Sequence, residues 1–210
     1  MGVLQPFDKP NKLLTLNNTL TSGITLATPD TNISQLLSLT TSNGVNYTAK
    51  VRVNNLKKTI SADAALAFGE HIFTFPLGLI KPNWASLYLL STCATGLSAT
   101  AGEIGLGTVI ASGANATLGA VGATSEDIME GTTISNHVAA TALTSRKRNT
   151  PVAYGDHGAT GDFGVLDGSS TAKKCFLNIA STFDQTAAEA ITFGGIITLN
   201  YDYMGTGVEV

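Results

Sequence analysis

The stretch ITFGGIITLNYDY, residues 191–203, decides the fold class. Ile197, Leu199, Tyr201 and Tyr203 share one face of it, and Thr198, Asn200 and Asp202 share the other. A period of two belongs to a β-strand with one face in a core. Gly194-Gly195 predicts a kink, because glycine weakens a strand interior and marks a bulge. Just upstream, KCFLNIAST (174–182) reads as a second strong strand.

Earlier segments carry the same signal. Lys50 to Asn54 alternates cleanly, with Val51 and Val53 on an apolar face and Lys50 and Arg52 on a basic one. His71 to Phe75 runs into Pro76, which ends sheet pairing or marks an edge. WASLYLLSTC (84–93) is apolar enough for a central strand, so Trp84 reads as lying beside the core. IGLGTVIA (104–111) reads as a strand whose two glycines mark a bulge or the close approach of another backbone. A short helix is predicted over 124–131, with Thr124 or Ser125 as cap, Glu126 and Asp127 in the first turn, and Gly131 as stop. Ala187, Ala188 and Glu189 suggest one further turn. Residues 144–172, with their alternating Gly and Asp, read as a long loop.

Strands spaced by Gly, Asn, Asp and Ser clusters, with no βαβ rhythm, predict an all-β chain: an antiparallel β-sandwich or jelly roll. Residues 1–50 are rich in Thr, Asn, Leu and Ser, and Pro6, Pro10 and Pro29 interrupt their alternation. They are predicted to form an extended N-terminal arm with one or two strands, and residues 51–210 the jelly-roll-like sandwich domain.

Composition narrows the function. Only 13% of the 210 residues are charged, 43% are hydrophobic, and 22 are glycine. Few titratable groups are on offer for a catalytic pocket, whereas low charge suits a protein with extensive contacts to copies of itself or a partner. A net charge of −3 gives no global attraction to nucleic acid, so no direct nucleic-acid partner is expected. No apolar run approaches the ~18 residues that span a bilayer, so no membrane role is expected. The N-terminus lacks a basic segment followed by an apolar core, and Pro6 breaks a myristoylation motif, so synthesis in a cytoplasm is expected. Cys93 and Cys175 each sit in an apolar run and read as buried, reduced thiols, a disulfide requiring that their strands bring the α-carbons within about 7 Å.

The candidate sites are sparse. Asp156-His157 with Asp162 and Asp167, in the Asp/Gly loop 155–168, is a dense polar cluster whose sharp reading is a hard-cation site. Its spacing matches no EF-hand, and it reads as a solvated loop. Glu70-His71 reads as an ordinary strand entrance. Gly102, Gly105 and Gly107 lack the helix that a dinucleotide loop needs. No nucleophile motif, cofactor motif or metal-ligand spacing is present, so no catalytic, cofactor or metal residue is assigned. Arg146-Lys147-Arg148, with Lys57-Lys58 and Lys173-Lys174, are candidates for a basic patch, and Arg146, Lys147 and Arg148 are the candidate contact with an acidic partner surface. Asn17, Asn32, Asn46 and Asn115 open N-x-[ST] triplets of the kind that Thr-rich sequences produce by chance.

The segment 102–113, followed by Ala116-Thr117-Leu118, resembles a strand-turn-strand pattern in virion structural proteins of tailed bacteriophages. Glu126 to Gly131 and the closing pair CFLNIAST and IITLNYDY strengthen the likeness, which covers roughly residues 70–204. Within that group the chain looks most like a capsid decoration, or cement, protein. The resemblance implies a homo-oligomer, a dimer or trimer, that binds the major capsid protein on the capsid surface and stabilises the virion without a cofactor. The alternatives are a tail or fibre module that binds host surface glycans, or a jelly-roll capsid subunit. A glycan-binding tip exposes aromatics for stacking on sugars, whereas Trp84, the only tryptophan, lies beside a strand that reads as core.

Overall fold

Runs of alternating apolar and polar residues leave little room for helix. The computed structural model describes residues 25–26, 35–41, 45–60, 64–92, 102–133, 142–148, 164–183 and 189–205. Among these the strands are β1 (Thr25–Leu26), β2 (Gln35–Thr41), β3 (Asn46–Ile60), β4 (Ala64–Thr74), β5 (Gly78–Thr92) and β6 (Glu103–Gly107). They continue as β7 (Ser112–Gly113), β8 (Met129–Thr133), β9 (Ala142–Arg148), β10 (Leu166–Gly168), β11 (Lys174–Phe183) and β12 (Glu189–Tyr203).

They form two antiparallel six-stranded sheets. The first has the order β1-β4-β11-β6-β8, with β7 also on β4. The second has the order β10-β5-β12-β3-β2, with β9 also on β5. Apolar faces of both sheets meet in one core, to which the first contributes Ile72, Phe73 and Ile179 and the second Val51, Leu87 and Leu199. The chain is an antiparallel β-sandwich.

The strand read first is central: β12 lies between β5 and β3. Ile197, Leu199 and Tyr201 are 1%, 0% and 0% exposed, as their alternation requires. The glycine pair makes the expected bulge, with the register shifting between Phe193 and Gly195. Gly195 has φ +152°, and a Cβ there would strike the Tyr88 carbonyl. The Tyr201 ring packs against Tyr47 and Phe75, but among the described residues its hydroxyl has no hydrogen-bond partner. An orphaned buried hydroxyl opposes folding. Tyr201→Phe is therefore expected to leave stability unchanged or to raise it by up to ~1 kcal/mol, measured by urea denaturation.

The two outer faces differ. On the first sheet, Gly69 and Gly105 flank Asn178 in register, and the chain from 108 to 128 lies over that face. Gly107 permits the approach, since a Cβ there would collide with the Ser125 backbone. Ala67, Ala111, Leu118 and Ala180 form a small second core beneath this cover. On the second sheet Lys50, Arg52 and Tyr88 are exposed on the outer face, which no described element covers.

Several expectations are corrected. The helix predicted over 124–131 is absent. A single helical turn, α1 (Leu118–Val121), stands earlier, capped by Thr117, and a 3-10 turn covers Ala123–Ser125. The acids instead bind backbone from other segments: Glu126 Oε2 accepts from Gly131 N at 2.7 Å, and Gly131 lies in β8. Side chains that compete for backbone groups in this way favour turns over helix. The strand predicted over 104–111 stops at Gly107, but the register shift between Ile104 and Leu106 brackets Gly105 as a bulge would. The predicted loop 144–172 contains most of β9 and all of β10, because β5 offers its free edge to both. The boundary placed at residue 50 falls inside β3, where Tyr47 and Ala49 are buried, and β2 pairs with β3. Glu189 opens β12, while 187 and 188 lie outside the described residues.

Candidate binding face on the second sheet

Strand alternation builds the open face. On β5, Ala85, Leu87 and Leu89 are at most 2% exposed. Trp84, Ser86 and Tyr88 therefore face outward; Trp84 is half-buried and Tyr88 is 53% exposed. Trp84 was read as lying beside a core strand; β5 is that strand, and Trp84 stands on its outward side. Two residues of every four in that apolar run point away from the core. Trp84 and Tyr88 stand four residues apart on one face, about 13 Å at ~3.3 Å per residue.

Beside Trp84 the pairing of β12 with β5 slips. Asn200 pairs with Trp84 and Tyr201 with Pro82, so Asn83 is extra. The bulge turns Asn83 Nδ2 toward Asn200 Oδ1, to which it donates at 3.1 Å. Asn46 Nδ2 donates to Asn200 Oδ1 at 3.1 Å and to Asp202 Oδ1 at 2.7 Å. Asn200 Nδ2 returns a bond to Asn46 Oδ1 at 2.9 Å and reaches Thr48 Oγ1 at 2.8 Å. Amide and carboxylate groups are thus held in place next to an indole, with Asn83 and Asp202 still partly open to solvent. Lys50, Arg52 and Lys81 are exposed around them. Alternation at 50–54 revealed two of these cations; the amide cluster was not legible, because it joins three strands distant in sequence.

Of the basic residues singled out from the sequence, Arg146, Lys147 and Arg148 lie on β9, in register with Ser86, Ala85 and Trp84. The backbone of that run therefore borders the open face. Lys57 and Lys58 belong to a different part of the sheet. Lys57 pairs with Thr192, which pairs with Thr92, six residues along β5 from Ser86, or about 20 Å. Lys174 is in the other sheet. The three basic runs do not form one patch.

Other polar side chains among the described residues hold the fold together. Asp127 accepts from Thr108 N at 2.7 Å and from Thr108 Oγ1 at 2.6 Å, pinning the loop after β6. Glu103 Oε2 accepts from Leu118 N at 2.7 Å. Asn178 ties Val109, Ala111 and Ser125 to β11. His71 Nε2 lies 3.1 Å from Thr74 Oγ1, its ring packs on Phe176, and burial lowers its pKa. Cys175 is a buried free thiol whose pKa burial raises; Cys93 lies outside the described residues. Asp156, His157 and Asp162 also lie outside them, and the exposed Asp167 accepts from Ser169 N and Oγ. Among the described residues no three ligating side chains gather as a metal site would require, and no helix is long and apolar enough to cross a membrane.

Asp127 gives the fold a pH dependence. Burial pushes its pKa up to about 6 from 3.8, against the lowering effect of the Thr108 hydrogen bonds. Between those two values the folded state binds more protons than the unfolded state, so stability falls as pH rises through that window. Asp127→Asn keeps an acceptor for Thr108 N. It is expected to be more stable than the parent by about 2–3 kcal/mol at pH 8, with the difference vanishing below about pH 3, measured by denaturation across pH.

Comparison with family models, curated proteins and solved structures finds no match. Fold and site together define a β-sandwich with one covered outer face and one open face that combines aromatic, amide and cationic groups.

Proposed function

We propose that this chain is a non-catalytic binding module that takes up surface glycans on the outer face of its second sheet, as a tail or fibre component of a phage particle would. One observation carries this reading: Trp84 and Tyr88 stand on the same open face, next to the Asn83-Asn200-Asp202 cluster. Aromatic rings present apolar faces to the C–H faces of sugars, and amides and carboxylates pair with hydroxyls; a few fixed polar groups beside aromatic surface are the usual makings of ligand recognition. Tyr88 is exposed, so Tyr88→Ala leaves the core intact. In affinity electrophoresis through gels containing bacterial surface polysaccharide, the parent is expected to be retarded and Tyr88→Ala to run at least partly free. Equal retardation of the two would remove the face from the account.

Capsid decoration is the second reading. The observation that favours it is an exposed apolar group at one end of the sandwich: Val45, Leu77 and Met204 are 45%, 52% and 43% exposed. They are close together, since Tyr203 N donates to Val45 O and Tyr203 Oη to Leu77 O. Apolar surface of this kind suits self-association. On that reading, particles lacking the protein lose DNA at lower temperature than complete ones; equal stability of the two would reject it.

A further inference from the structure

We propose, building on the glycan-binding reading, that the open face selects an acidic polysaccharide, a polymer whose sugar rings carry carboxylates. The chain as a whole is acidic, with net charge −3. Its open face has the opposite character: Lys50, Arg52 and Lys81 are exposed there. In register, Lys50 pairs with Thr198 and Lys81 with Asp202, while Arg52 pairs with Ile196, the neighbour of Tyr88 across the next ladder. These three cations thus border the strip from Trp84 to Tyr88. Exposed cations raise the local concentration of a polyanion and speed its encounter.

The rest of the face decides which polyanion. Asp202 stands within the same cluster, accepting from Asn46. A carboxylate repels any anionic group set against it, phosphate or carboxylate alike, and accepts from a sugar hydroxyl, so this cluster suits a hydroxyl-bearing stretch of the polymer. The half-buried amide of Asn83, which donates to Asn200 Oδ1, also suits hydroxyls. A chain of rings bearing both hydroxyls and carboxylates satisfies the whole set: rings against Trp84 and Tyr88, hydroxyls at the amide cluster, and carboxylates at the lysines and arginine.

The test is calorimetric titration of the full chain with polygalacturonate, alginate and hyaluronate, with fully methyl-esterified polygalacturonate and dextran as uncharged polymers, and with an oligothymidylate. The expected result is binding to at least one acidic polymer, at least tenfold weaker binding to the ester and dextran, and loss of affinity as salt rises. The triple variant Lys50→Gln, Arg52→Gln, Lys81→Gln is expected to lose that preference at least tenfold with its thermal midpoint unchanged. Equal affinity for acidic and esterified polymer would overturn the acidic class and leave the glycan module standing. Tighter binding of oligothymidylate than of any polysaccharide would replace the ligand class. Binding to none of the polymers would overturn the selectivity, and unaltered retardation of Tyr88→Ala in surface polysaccharide would separately overturn the module.

Discussion

Asn178→Ala is expected to destabilise the fold by about 3–5 kcal/mol. Asn178 is fully buried on the outer face of β11. Its Oδ1 accepts from Ala111 N at 2.9 Å, and its Nδ2 donates to Val109 O at 2.9 Å and Ser125 O at 2.7 Å. Truncation leaves one amide and two carbonyls without this partner, each at a cost of roughly 1–3 kcal/mol where water cannot replace it. The exposed Val109 lies where water can reach, which keeps the total below the sum. The chain from 108 to 128 should then open first, seen as faster proteolysis there. A loss under about 1 kcal/mol in urea denaturation would show that the cover holds without its staple.

Leu199→Ala carries the second large effect, about 2–5 kcal/mol. Leu199 is 0% exposed on the central strand β12, between Ala49 of β3 and Ala85 of β5. Two small neighbours in register leave it to fill the space toward the opposite sheet, so truncation opens a cavity that they cannot close. A change below about half a kcal/mol would remove this face from the core.

How far the sequence revealed this molecule depends on how local each signal is. The alternation at 196–203 and at 50–54 and the glycine pair at 194–195 are local, and each reads directly as the strand or bulge observed. The helix over 124–131 failed because Ser125, Glu126 and Asp127 spend their polar groups on Leu118, Gly131 and Thr108, partners that a helical reading does not weigh. Strand β9 was hidden because ALTSRKR is polar and acquires its strand geometry from the edge of β5. At an edge, charged residues also discourage pairing with other chains.

The candidate face was half legible. Lys50 and Arg52 were visible as one side of an alternating strand. The outward side of β5 at Trp84 was not legible because WASLYLLSTC looks uniformly apolar, although Ala85, Leu87 and Leu89 supply its buried side. The Asn46-Asn83-Asn200 cluster had no sequence signal: it depends on a one-residue slip between β12 and β5. The cover on the first sheet was legible only as glycines at 105 and 107, read correctly as a bulge or close approach. Which backbone approached could not be told from spacing.

On the proposed reading, ligands meet the open face at Trp84. This is the only tryptophan in the chain, so its emission reports on that face alone. Titration with the polysaccharide bound most tightly should change Trp84 emission in a saturable way and protect it from acrylamide quenching, with the midpoint shifted to higher ligand concentration in Tyr88→Ala. Binding detected by calorimetry with Trp84 emission and quenching unaltered would place the ligand elsewhere and contradict the account.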